Sequence, residues 1–231
     1  GSTVVIRARF ARHVVSTTGI SILQQFVGLA RQALIAAYFG LTRDFDGYLV
    51  VFSLATILIF ILSSVFDTVA VSRLVQIRDR DGDAAFRASS NRLLLQALGC
   101  GLLLAAGLML LVWLALPIVA AGFGAADRQR VLRLAPFFLP WVLIIVPYYA
   151  LSAHLKALWQ FDWVFGAEVL AMLVSILVLV VFHGEVSRLP VAYGAGYAAA
   201  FVVLLVRRGL FRGGSAAPTQ GLVVSMANQY L

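Results

Sequence analysis

Six times along the chain, a run of apolar and small residues gives way to a short polar stretch. The runs are Val14 to Phe39, Tyr48 to Val71, Leu93 to Ala121, Pro136 to Ala153, Trp163 to Phe182 and Pro190 to Val206, and a seventh begins near Gly221. About 20 apolar residues wound as a helix cross the hydrocarbon core of a bilayer, so each run is expected to form a membrane-spanning helix. The first is too long for the core of a signal peptide and others follow it, which marks it as a retained span. The connectors are short and polar. The last, "RRGLFRGGSAAPTQ", has the glycine, serine and proline content of a hinge between lobes.

Within the runs, polar positions are not scattered. In the first, Thr17, Gln24, Arg31 and Tyr38 recur every seven residues and share one helix face, with Gly28 nearby. At 1.5 Å per residue, Arg31 lies roughly 7 Å from the middle of its span. An arginine near the bilayer centre costs about 2.5 to 3.5 kcal/mol on insertion scales, part of which snorkelling relieves. Lipid does not favour such a stripe, so it is expected to look onto protein or a wet cavity. The second run repeats the pattern with Thr56, Ser63 and Asp67, and the fifth places Glu168, Met172 and Ser175 together, whereas the third run carries no charge. Two readings stay open for these residues. They line a central aqueous path, or they hold helices together while the serines and threonines bond back to their own helices. Pro136, Pro140 and Pro147 are expected to bend the fourth span or free its carbonyls, and "GAGYAAA" in the sixth allows close backbone approach.

Composition sharpens this picture. Of 231 residues, 62% are hydrophobic and 12% charged, more apolar surface than a water-soluble domain of this size can bury. The net charge of +8 would suggest nucleic acid if the basic residues were clustered on one surface. They lie between the runs instead, so no nucleic-acid partner is expected. Six spans put alternate connectors on opposite sides. One side then holds Arg7, Arg9, Arg12, Arg73, Arg78, Arg80, Arg87, Arg92, Lys156, Arg207, Arg208 and Arg212, and the other Arg43, Arg128, Arg130, Arg133 and Arg188. The excess assigns the N-terminus and the end of the sixth span to the cytoplasm. Trp159 and Trp163, flanking a cytoplasmic turn, fit an aromatic belt, and "GFGAADRQRVLRLA" is read as a surface-lying segment.

Familiar chemical signatures are missing. "DRDGDAAF" has its glycine at the fourth position of a would-be calcium loop instead of the sixth, and Ser90 stands where the bidentate glutamate belongs. His13, His154 and His183 lack metal-ligand spacing and are read as interfacial residues. The single cysteine, Cys100, excludes an internal disulfide. No phosphate-binding glycine loop or nucleophile elbow precedes a suitable element. An enzyme is not expected, and neither a cofactor nor a metal is implied.

The stretch "GLARQALIAAYFGLTRDFDGYLVVFSL" resembles the start of the MurJ/MviN family, within the multidrug/oligosaccharidyl-lipid/polysaccharide exporter superfamily. Gly28, Arg31, Phe39, Gly40, Asp46 and Tyr48 match its pattern, and "SAHLKALWQFDWVFGAEVLAMLVSILVLVVF" is similar to its passage from helix four to helix five. The resemblance implies an all-α integral membrane protein, a six-helix transmembrane lobe of a two-lobe flippase. Residues 1–206 would be the N-terminal lobe, 207–220 a cytoplasmic linker and 221–231 the start of the second lobe. It implies alternating-access flipping of a polyprenyl-diphosphate-linked saccharide across the bacterial cytoplasmic membrane, completed by a C-terminal lobe or a second copy. Arg31 takes the place of a pyrophosphate-contacting arginine, which can bind phosphate oxygens in bidentate fashion. Gln24, Thr17 and Tyr38 would line the path, and Asp46 stands at the outer gate. Gln25 replaces a second arginine of the lipid II flippases, and Ile59 and Phe60 replace a pair of arginines, which favours a different lipid-linked saccharide. The alternatives are a drug/cation antiporter with Asp67 or Glu168 as coupling carboxylate, and a non-transporting membrane scaffold.

Overall fold

The computed structural model describes residues 2–40, 42–119, 122–182 and 184–210, with side chains from Thr18 onward except those of Val119 and Leu210. Apolar runs of this length satisfy every backbone N–H and C=O internally only as helices, and among the described residues there is no strand. The helices are α1 (Ser2–Phe39), α2 (Arg43–Val65), α3 (Val71–Val119), α4 (Ala125–Leu134), α5 (Leu139–Ala157), α6 (Phe161–Val181) and α7 (Arg188–Leu210). A π-helical turn, Phe66–Ala70, joins α2 to α3, and a 3-10 turn, Ala135–Phe138, joins α4 to α5. Five stretches are long and apolar enough to cross a membrane: Thr18–Phe39, Arg43–Ile118, Ala125–Ala157, Phe161–Val181 and Arg188–Gly209. The chain is therefore an all-α protein of multi-pass membrane character.

The count differs from six because the second stretch, 76 residues long, contains both the second and the third apolar runs. The charged connector between them was expected as a loop, yet it is helical. Its alanines, arginines and single glutamine are good helix formers, and Arg78 Nε lies 3.4 Å from Asp83 Oδ1. Gly82 interrupts it at φ 81°, ψ −178°, a conformation essentially restricted to glycine.

Other boundaries follow local chemistry. After Phe39, Gly40 N–H donates to Ala36 O at 3.0 Å, and Thr42 Oγ1 accepts from Phe45 N–H at 3.3 Å to cap α2. Pro136 and Pro140 sit in the first turns of the 3-10 segment and of α5, where a missing N–H costs nothing, and only Pro147 lies inside α5. The segment read as surface-lying is α4, a helix in its own right. α7 runs to Leu210, past the expected linker start at 207; the rest of that linker, with residues 211–231 and His183, lies outside the described residues.

α5 is the hub. It packs against α3, α7, α2 and α6, while α6 and α7 form the most extensive pair. The "GAGYAAA" glycines make this possible: a Cβ on Gly194 would come 3.3 Å from Trp141 N, and one on Gly196 would overlap the Ala171 carbonyl oxygen and Ser175 Oγ. α1 is peripheral and packs principally on α6, its backbone close enough that a Cβ on Gly28 would sit 3.8 Å from Met172 Sδ.

Candidate functional site

The α1 stripe meets the bundle at two points. Gln24 Nε2 donates to Glu168 Oε2 of α6 at 2.6 Å. Two turns on, Arg31 turns toward α7, its Cζ 4.4 Å from the centroid of the Tyr193 ring, a cation–π contact of about 0.5 to 2 kcal/mol. Tyr48 of α2 and Tyr193 are within hydrogen-bonding reach of one another beside the guanidinium, and Tyr197 feels the same charge. Arg31 Nε is buried without a hydrogen-bond partner. The residue is thus directed into protein, not lipid.

Around Tyr193 the aromatic packing is dense. Trp141 lies 5.1 Å from it, Phe52 5.5 Å, and Phe138 stacks on Tyr48 at 5.5 Å. Trp141 is 5% exposed and its Nε1 has no partner. Two N–H donors, on Arg31 and Trp141, are therefore left unmet around one ring system, an environment that accepts an anion or a polar oxygen.

The second point of contact opens into a polar cluster. Tyr148 of α5 is fully buried, with its hydroxyl turned to Glu168 but not placed to complete a hydrogen bond with it. Tyr149 faces Ser63 and Glu168. Lys156, at the end of α5, donates to Asp67 Oδ1 at 2.7 Å across to the π-helical turn, and both act electrostatically on Glu168. π-bulges recur at functional positions, and here the turn is what carries Asp67 toward α5.

The remaining expected residues are placed differently. Tyr38, Gln25 and Asp46 are exposed, so the stripe leaves the interior at Tyr38 while Gln24 and Arg31 face it. Asp46 and Asp44 occupy the first turn of α2, where carboxylates favour the helix dipole, and Asp44 pairs with Arg130 at 3.4 Å. Thr17 belongs to α1, but its side chain lies outside the described residues. The stripe hydroxyls of Ser63 and Ser175 bond back along their own helices, to Phe60 O at 2.9 Å and Ala171 O at 2.7 Å, as does Ser64 beside the stripe, also to Phe60 O at 2.9 Å. His154, read as interfacial, is buried, stacked on Phe86 and 2.7 Å from Ser90 Oγ through Nδ1. The sequence reading missed the tyrosines of α5 and α7. Tyr193 and Tyr197 occupy adjacent turns inside an otherwise small-residue stretch, which was the available signal. Among the described residues no cluster of metal-binding side chains occurs.

Comparison with protein-family models and with curated proteins finds no match.

Proposed function

We propose that this chain acts as a six-span lobe of a flippase, which moves a polyprenyl-diphosphate-linked saccharide across the bacterial cytoplasmic membrane by alternating access. A second lobe or a second copy completes the path. In this reading Arg43–Ile118 crosses twice and the N-terminus is cytoplasmic, as the distribution of arginines favours. The observation that carries it is Arg31: a permanently charged fork turned inward, resting on Tyr193, with Nε unmet. A diphosphate outcompetes a ring face for a guanidinium, because two charge-assisted hydrogen bonds replace one quadrupole contact. Gln24 belongs to the same inward face, whereas Gln25 and Asp46 would meet cargo or partner at the exposed rim.

The test is complementation of a strain lacking its own saccharide-lipid flippase. Arg31→Ala abolishes growth at wild-type membrane levels, and Arg31→Lys restores part of it, because an ammonium keeps the charge and loses the fork. Full complementation by Arg31→Ala refutes the assignment. A drug or cation antiporter differs in its cargo, and dye efflux by the wild-type chain with unimpaired function of Arg31→Ala selects it.

A further inference from the structure

Two side chains packed on Tyr193 each keep a buried N–H without a partner: Arg31 Nε, from α1, and Trp141 Nε1, from α5. The guanidinium carbon lies 4.4 Å from the Tyr193 centroid and the indole 5.1 Å from it. Both nitrogens can only donate, so neither satisfies the other, and a buried donor left unmet is costly. The Tyr48 and Tyr193 hydroxyls, within reach of one another, use one proton between them and leave the second for an outside acceptor. The charge acting on both hydroxyls is that of Arg31. The group that completes this set therefore brings several acceptor oxygens, negative charge and no donor of its own. A sugar hydroxyl fails the last condition, because its own proton also needs an acceptor. A carboxylate offers two oxygens, whereas a diphosphate offers oxygens on two phosphorus atoms.

We infer that Trp141 is the second donor of the Arg31 site, its indole N–H meeting a phosphoryl oxygen of the diphosphate that Arg31 binds. This rests on the diphosphate reading of Arg31 and extends it to specificity, since the neutral indole rewards an acceptor without adding charge. The two donors stand on unequal elements. Trp141 is fixed on the hub helix by Phe52, stacked at 5.7 Å, and by the α7 backbone, so near that a Cβ on Gly194 would come 3.3 Å from Trp141 N. Arg31 stands on α1, which packs principally on α6. A diphosphate held by both exchanges the direct Arg31–Tyr193 contact for a link from α1 to α5 carried through its own oxygens. No covalent bond forms or breaks.

The test is NMR of the purified full chain in lipid nanodiscs, with the tryptophan indoles labelled with nitrogen-15, titrated with inorganic diphosphate. The resonance missing from Trp141→Phe identifies the Trp141 N–H among those of Trp113, Trp159 and Trp163. In the wild-type chain it is expected to move downfield saturably while the others stay in place, as an N–H taking up a charged acceptor does. Trp141→Phe, which keeps a ring against Phe52 and Tyr193, binds diphosphate about ten- to a hundredfold more weakly, the loss of one hydrogen bond to a charged oxygen. Acetate and chloride at the same concentration leave the resonance in place. A Trp141 resonance that does not move in the wild-type chain overturns the proposal whether or not the variant folds, and so does an equal response to acetate or chloride. Diphosphate binding that needs Arg31 but is as tight in Trp141→Phe overturns this inference and leaves the Arg31 reading standing. A Trp141 response that survives Arg31→Ala overturns both.

Discussion

Substituting Gly196 by alanine is the sharpest probe of how the interior is assembled. An added Cβ would overlap the Ala171 carbonyl oxygen and Ser175 Oγ, with the Ala171 carbonyl carbon at 3.0 Å. Two of those atoms are backbone and cannot rotate away. Restoring ordinary contact separates α6 from α7 by about 1 Å along their tightest stretch. Overpacking of this kind costs about 1 to 3 kcal/mol, and the alanine returns up to about 1 kcal/mol of helix propensity. The net expectation is a loss of about 1 to 2 kcal/mol, near a tenfold fall in the folded-to-unfolded ratio. Gly107→Ala is the control, because nothing lies within 4 Å of its added Cβ. The measurement is a denaturing-detergent titration in micelles, followed by helicity. Ser175→Ala removes one of the overlapping atoms, so the double variant recovers part of the loss and the pair is non-additive. If Gly196→Ala unfolds at the same detergent fraction as Gly107→Ala, the close α6–α7 approach is wrong.

Three further substitutions test separate features. Gly82→Ala places a Cβ where φ is 81° and is expected to cost about 1 to 3 kcal/mol, read as a lower unfolding midpoint in the same titration. Ser90→Ala leaves His154 Nδ1 without its 2.7 Å partner and costs about 1 to 3 kcal/mol; Ser64→Ala costs far less, since that hydroxyl only returns to Phe60 O, and equal thermal shifts for the two would refute the distinction. Lys156→Met removes the ammonium from Asp67, whose side chain is 48% exposed, so water replaces the pair and the stability change stays below about 1 kcal/mol.

The helical runs were legible because hydrocarbon leaves the backbone no other solution: span boundaries from hydropathy fall within a few residues of helix ends except in two charged stretches, the one before Val14, where α1 already starts at Ser2, and the one between the second and third runs. The stretch from Arg73 to Arg92 has the polarity of a loop and the helix propensity of alanine, arginine and glutamine, and polarity alone cannot separate the two. Arg31 and Gln24 were legible as inward-facing from their seven-residue spacing. Their partners were not, since Glu168 and Tyr193 lie on α6 and α7, and no spacing within one helix reveals which neighbour it meets. Periodicity also failed for Tyr38, because a stripe continued to a helix end can leave the protein while its middle remains inside.

How α1 is held follows from what lipid can and cannot do. Only 6% of its most apolar window is buried, against 61% for the span containing α5, and Ile22, Leu23, Phe26 and Leu29 all face outward. Acyl chains are as apolar as leucine, so no hydrophobic force presses these residues onto the bundle. The contacts that hold α1 include the burial of Ile35 and Phe39 in the core near its C-terminal end, the Gly28–Met172 approach, the Gln24–Glu168 hydrogen bond and the Arg31–Tyr193 contact. The two polar contacts together are worth about 1 to 3 kcal/mol. A ligand that drew the Arg31 guanidinium off Tyr193 would therefore remove one of the two polar contacts that hold the middle of α1. α5, buried along almost its whole length and packed on four other helices, has no comparable freedom.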